Sequence, residues 1–269
     1  MELDLIILLT AGFLGGMLNA VAGGGSFITL PALLFVGVPP VAANATGTAA
    51  LLPGYLASAW RFRRDISYPR SLGWADIVLL SALGGSLGAL LLIITSDRLF
   101  STIIPWLILF ATLVFAFGPR FVAAATPEEI EREERVQQRL GQKRSRRSWL
   151  YAALLFVVCV YGGYFNGGLG ILLLAAFSAM GQKNLHAMNG LKNVVSALLA
   201  CIAVFLYVMG GAIAFERLIP LALASILGGY AGAALAYRIP QQVLRIGIVC
   251  IGALLTAAFF LQQYNLLLF

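Results

Sequence analysis

The same glycine pattern occurs twice in this chain, 144 residues apart, and both copies are set in apolar sequence. Gly37 falls on Gly181, and Gly84-Gly85-Ser86-Leu87-Gly88-Ala89 falls on Gly228-Gly229-Tyr230-Ala231-Gly232-Ala233. Upstream, Gly15-Gly16-Met17-Leu18-Asn19 matches Gly162-Gly163-Tyr164-Phe165-Asn166 at an offset of 147, so the first copy carries three extra residues beside Gly23-Gly24-Gly25. Solenoid repeats have periods of about 20 to 50 residues, and this repeat is far longer. A fold for this chain has to use one design twice.

The setting is a membrane. Hydrophobic residues make up 61% of the chain and charged ones 11%, against about 25% charged in soluble domains. Apolar runs at 4–22, 42–60, 77–95, 99–117, 193–215, 218–237 and 243–261 are each long enough to cross about 30 Å of hydrocarbon at 1.5 Å per residue. An eighth stretch, 150–180, is interrupted at Gly167-Gly168. The first residues, Met-Glu-Leu-Asp, lack the basic start of a signal peptide, so the first run is expected to stay in the mature protein. Cys159, Cys201 and Cys250 lie inside apolar runs without metal-ligand spacing and read as small buried hydrophobes. The net charge of +7 comes mostly from short loops and one linker, which membrane topology explains better than nucleic acid does. The fold class is therefore all-α: a polytopic helical membrane protein whose two repeats occupy 1–118 and 150–269, joined by a charged linker at 119–149. Two-fold repeats of this kind are the pattern of secondary transporters.

Each half divides into five apolar pieces: roughly 4–22, 24–37, 42–60, 77–95 and 99–117, then 150–166, 168–180, 187–210, 218–237 and 243–262. Alternate connections hold Arg61, Arg63, Arg64 and Arg70, the basic linker, Lys183, and Arg238 with Arg245, so these are cytoplasmic by the positive-inside rule and both termini face outward. An odd number of pieces per half inserts the second copy from the opposite side, giving an inverted repeat of a multi-pass inner-membrane protein. The second piece of each half is only about 13 residues, or about 20 Å of helix, which is short of the hydrocarbon thickness. Either it crosses, or pieces one and two form a re-entrant hairpin that removes two crossings and leaves every later loop on its side, so the number of spans is six, eight or ten. In the linker, Thr126-Pro127-Glu128-Glu129 reads as a helix start with a capping box, and Lys143 to Arg147 form a basic cluster. Trp60, Trp74, Trp106 and Trp149 read as anchors near segment ends.

Consecutive glycines end each first piece, and a broken helix in a membrane is tolerated only where its backbone faces protein or a water-filled cavity. The helix that resumes at Ser26 or Gly170 aims its N-terminal dipole inward, which favours an anion; close packing through small residues is the other reading. Asn19 and Asn166, just before the breaks, either bond an oxyanion or cap broken backbone. Ala43-Asn44-Ala45-Thr46-Gly47-Thr48 aligns with Ala187-Met188-Asn189-Gly190-Leu191-Lys192, which puts Lys192 at the depth of Thr48. That ammonium either snorkels to the headgroups or faces a cavity and attracts a negative substrate, with Asn193 beside it. Every Asp and Glu lies in a loop, a linker or near a segment end, so no carboxylate serves a central proton relay or cation site. His186, the only histidine, sits near the cytoplasmic mouth. No metal or cofactor is implied, and Ser26 has no partnered base for hydrolysis. The chain is not expected to be an enzyme. The small-residue faces around Gly84–Gly88 and Gly228–Gly232 suit internal packing or a homodimer equally.

Asn19 to Leu34 (Asn-Ala-Val-Ala-Gly-Gly-Gly-Ser-Phe-Ile-Thr-Leu-Pro-Ala-Leu-Leu), Ala43 to Thr48, Gly162 to Gly170 and Ala187 to Asn193 together resemble the sulfite exporter TauE/SafE family of membrane permeases. The resemblance covers both repeats and implies transport of small sulfur-containing anions such as sulfite and organosulfonates. Direction, a co-transported ion, and a carrier for another small anion such as a carboxylate stay open. The expected site lies between the two glycine breaks, lined by Asn19, Gly24, Gly25, Ser26, Thr46 and Thr48 from one half. Asn166, Gly168, Gly170, Asn189, Lys192 and Asn193 line it from the other.

Overall fold

The structure is a computed structural model that describes residues 2–62, 67–69, 71–117, 148–182, 184–235 and 241–263. These form ten α-helices and, among the described residues, no strand. In the first half they are α1 (Glu2–Ala22), α2 (Ser26–Phe35), α3 (Pro40–Phe62), α4 (Trp74–Ile94) and α5 (Asp97–Phe117). In the second they are α6 (Ser148–Tyr164), α7 (Leu169–Ala179), α8 (Leu185–Met209), α9 (Phe215–Leu235) and α10 (Gln241–Gln263). The expected linker helix start at Thr126, the basic cluster at Lys143 to Arg147, and Arg63, Arg64, Arg70, Lys183 and Arg238 lie outside the described residues, as do the side chains of Arg61, His186 and Arg245.

Four stretches, Glu2–Ala20, Trp74–Ile94, Asp97–Phe117 and Ala187–Met209, are each long and apolar enough to cross a bilayer. α2 and α7, with 10 and 11 residues, are not. At about 15 and 17 Å they reach halfway through the hydrocarbon. Both turn back on the helix before them, and both end in the same way. Gly37 (φ +81°) and Gly181 (φ +90°) take the left-handed conformation that terminates a helix. The N–H of the following residue then closes on a carbonyl five residues back, Val38 on Leu33 and Gln182 on Phe177, each at 3.0 Å. This turn explains why the two glycines recur at the repeat offset.

Helix packing in one half recurs in the other with the partners exchanged. α1 packs along α9 while α4 packs along α6; α3 meets α9 while α8 meets α4; α10 touches α2 while α5 touches α7. α3 and α8 pack on each other, as do α5 and α10. The two long contacts, α1 on α9 and α4 on α6, run through the glycine faces. A Cβ on Gly16 would collide with the Ser225 backbone and one on Gly228 with Phe13; one on Gly88 would strike Val160, and one on Gly163 the Gly85 backbone. Such backbone-to-backbone approach needs small residues and is a main source of helix association in lipid. Those faces are filled internally.

One end of the molecule is tied by the Arg217–Asp4 ion pair at 3.3 Å and by the Val41 N–H donating to Asp97 Oδ1 at 2.9 Å. At the other end the Ser148 hydroxyl donates to the Ser71 carbonyl at 2.5 Å, and Gln182 Nε2 to that of Ser67 at 2.7 Å. Trp60, Trp74 and Trp149 are exposed near helix ends. Trp106 differs: it sits midway along α5, where its indole packs edge-on against Phe260 of α10, ring centroids 5.0 Å apart. An apolar ring contact settles this tryptophan, not a headgroup.

Candidate functional site

The two breaks meet. A Cβ added to Gly23, in the turn between α1 and α2, would stand 3.6 Å from Gly170 Cα in the first turn of α7. The hairpins α1–α2 and α6–α7 therefore touch tip to tip, and the N-termini of α2 and α7 both start at that junction. Neither has a side-chain cap: Gly25 is the residue before α2 and Gly168, at φ +75°, the one before α7. The first amides of a helix have no intrahelical acceptor, and each N-terminus carries roughly half a positive charge. Two such termini at one junction favour an anion.

Polar side chains converge on the same place. Asn166 lies in the second break in the left-handed region (φ 63°) and is only 3% exposed. Its Oδ1 accepts from the Tyr55 hydroxyl of α3 at 3.4 Å, while its Nδ2 is buried without a partner. Asn19, in the last turn of α1, faces the same hydroxyl and has a buried, unpartnered Oδ1. The Asn19 main-chain carbonyl accepts the Gly23 N–H at 3.0 Å.

The other expected residues divide into groups. Ser26, Gly24, Gly168 and Gly170 are buried at the junction. Gly25 is there for packing: a Cβ on it would come within 2.6 Å of the Gly15 carbonyl oxygen and 2.9 Å of Leu51. Thr48 and Asn193 are buried, and Asn189 and Lys192 half-buried, on the packed pair α3 and α8. Thr46 is fully buried, but its hydroxyl accepts the Ala214 N–H at 3.0 Å and so serves the connection into α9. Lys192 is the eighth residue of α8, and among the described residues no carboxylate pairs with it. An ammonium at that depth costs about 2.5 to 3.5 kcal/mol on insertion scales unless water or an anion meets it. No group of histidine, cysteine and carboxylate side chains suited to a metal occurs among the described residues.

Sequence reasoning passed over the residues that fasten the second break. The Tyr207 hydroxyl donates to the Gly163 carbonyl at 2.5 Å and that of Tyr161 to the Gly167 carbonyl at 2.6 Å; Asn44 Nδ2 donates to the Tyr164 carbonyl at 2.9 Å. The Gly163 and Tyr164 carbonyls end α6 and that of Gly167 lies in the break beyond it; none has a helical donor, so side chains supply one. Tyr55 was equally unremarked. The available signal was a phenol inside an apolar run, since a buried tyrosine hydroxyl needs a partner.

The chain is similar over nearly its whole length to bacterial membrane proteins. A "Probable membrane transporter protein" of Haemophilus influenzae is 31% identical over 271 residues, covering 96% of this chain and 95% of the relative. The "Probable membrane transporter protein YfcA" of Escherichia coli K12 is 24% identical, covering 93% of this chain and 87% of the relative. A "Probable membrane transporter protein ORF9" of a Sinorhizobium species is 33% identical over 117 residues, 43% of this chain and 44% of the relative. The family model described as sulfite exporter TauE/SafE matches residues 8–259, a span that takes in both hairpins and the junction between them. With its apolar helices and that match, this integral membrane protein belongs to the sulfite exporter TauE/SafE family.

Proposed function

We propose that the chain is a membrane transporter for small sulfur-containing oxyanions, sulfite or an organosulfonate, and that it works in export across the cytoplasmic membrane. The observation that carries this reading is the junction itself. Two uncapped helix N-termini from different halves meet there, with buried amides between them. Lys192 of α8, a helix packed on α3, carries an ammonium at depth. Donors and one cation without carboxylates suit an oxyanion and repel a metal ion or proton path. The exchanged packing partners support two inverted repeats, 1–118 and 150–269, around this centre. Alternating access is then rocking of one half against the other about the hairpin tips.

The end that holds Ser67, Ser71, Ser148 and Gln182 also receives the basic connections and the linker, which makes it cytoplasmic by the positive-inside rule and sets both termini outside. An inside-negative potential is worth about 2.3 kcal/mol per charge per 100 mV to a departing anion, so export needs no coupled ion. Sulfite flux in proteoliposomes at a set potential tests the proposal, with Lys192→Met compared at matched incorporation. Potential-driven flux that Lys192→Met reduces at least about tenfold is expected, roughly the 1.4 kcal/mol or more that a charge-assisted contact supplies. Well-folded wild type that moves no sulfite sinks it.

A further inference from the structure

Tyr55 does more than hold one asparagine. Its hydroxyl stands between Asn166, whose Oδ1 it meets at 3.4 Å, and Asn19, whose Nδ2 lies over the bare Cα of Gly54 on the same helix, 3.9 Å from where a Cβ would be. A phenol has one proton to give. Donated to Asn166 Oδ1, it leaves the phenol oxygen to accept from Asn19 Nδ2. Each amide is then turned with its other end away from the tyrosine. Those other ends are the two buried atoms without partners: Asn19 Oδ1, an acceptor, and Asn166 Nδ2, a donor. Were the phenol proton to point the other way, the asparagines would exchange roles, and one acceptor and one donor would still remain. In the arrangement the structure shows, Asn19 supplies the acceptor and Asn166 the donor.

We infer that this pair, one amide from each half, binds a monoprotonated oxyanion, in which an O–H stands beside an anionic oxygen. The inference rests on the reading of the chain as an oxyanion transporter and narrows its substrate to hydrogen sulfite over sulfite dianion or an alkyl sulfonate. The amide N–H donates to the anionic oxygen, and the amide carbonyl accepts the ligand's O–H. A dianion has no proton for that carbonyl and meets its lone pairs instead. An alkyl sulfonate carries the right charge but leaves the carbonyl buried and unmet. Sites built to hydrogen-bond a ligand O–H reject analogues without it for this reason. Charge agrees: α3, which carries Tyr55, packs on α8, whose Lys192 supplies a single positive charge. Lys192 lies about one and a half turns from Ala197, which shares a buried cluster with Tyr55.

The test is calorimetric titration of the purified full-length protein at one mildly acidic pH with hydrogen sulfite, methanesulfonate and sulfate. These are a monoanion with an O–H, a monoanion without one, and a dianion. Hydrogen sulfite is expected to bind at least about tenfold more tightly than methanesulfonate, with sulfate weakest. Asn19→Leu should erase that preference while methanesulfonate binding survives. Tyr55→Phe, which keeps the ring's packing, should narrow it by freeing both amides to turn. Equal affinity for the two monoanions overturns the inference and leaves the transporter reading standing, as does a preference that persists in both variants. No binding of any of the three anions overturns both.

Discussion

The first hairpin closes by glycine contact, whereas the second is fastened by side-chain hydrogen bonds, two of the three from other helices. In the first, Gly25 seats directly against the Gly15 carbonyl, Asn19 and Leu51, and its own carbonyl accepts the Ile28 and Thr29 N–H groups. In the second, the carbonyls of Gly163, Tyr164 and Gly167 are each met by a hydroxyl or amide from α8, α3 or α6. The counterparts of those donors in the other half are Leu14 for Tyr161, Arg63 for Tyr207 and Met188 for Asn44. The three extra residues of the first copy carry α1 past Asn19 to Ala22, whereas α6 stops at Tyr164, before Asn166. The first reversal is then made by glycines alone, Gly23 being left-handed, while the second runs through residues 165–168 with Asn166 and Gly168 left-handed and leaves carbonyls that need side-chain donors. One fold thus solves the same reversal by backbone freedom in one copy and by hydrogen bonds in the other.

The largest effect should come from filling the glycine contact. Gly25→Val sets a Cβ 2.6 Å from the Gly15 carbonyl and 2.9 Å from both Asn19 and Leu51, so α1 and α2 must separate. Overpacking of this kind costs about 1 to 3 kcal/mol, and the upper end is expected where the clash is with backbone. Thermal unfolding in detergent would register it, with Gly247→Ala as a control, because nothing lies within 4 Å of a Cβ there. A Gly25→Val protein as stable as the control would break the account of how the first hairpin is closed.

Removing one fastener of the second hairpin comes next. Tyr207→Phe leaves the Gly163 carbonyl without its 2.5 Å donor in a fully buried place. Hydrogen bonds inside membrane proteins are worth about 0.6 kcal/mol on average and up to about 1.7, and a bond this short to a helix-ending carbonyl belongs near the top. Hydrogen exchange should quicken in α7 and the turn before it and leave α2 unchanged. Equal quickening in both hairpins would mean that the two are one cooperative unit, and the contrast between them would lose its content.

The breaks, the half-length helices after them and the matched glycines Gly37 and Gly181 that end those helices were legible because each is a local pattern written twice. The fasteners were not. Asn44 reaches Tyr164 across 120 residues and Tyr55 reaches Asn166 across 111, and nothing near either residue in the chain marks its partner. Repeat logic even worked against them, since Tyr55 aligns with Leu199 and Asn44 with Met188. Thr46 shows the reverse case. Its position in a polar motif suggested a lining residue, yet its hydroxyl meets the Ala214 N–H, a partner that only the tertiary arrangement supplies.

The smallest effect expected is at Thr29, and it sharpens the comparison most. Its hydroxyl reaches the Gly25 carbonyl at 3.4 Å, the one side-chain hydrogen bond found on the first hairpin's turn among the described residues. It therefore resembles the fasteners of the second hairpin while differing in what it satisfies, because that carbonyl already accepts two backbone N–H groups at 3.0 and 3.1 Å. Thr29→Val keeps shape and removes only the hydroxyl. A carbonyl with two good donors loses little when a third, long one goes, so the cost should stay below about 0.6 kcal/mol and unfolding temperature should hardly move. Tyr207→Phe, by contrast, deletes the donor from a carbonyl at the end of a helix. If Thr29→Val proves as damaging as Tyr207→Phe, the first hairpin depends on side chains after all, and its glycines are a packing convenience, not the reason it closes.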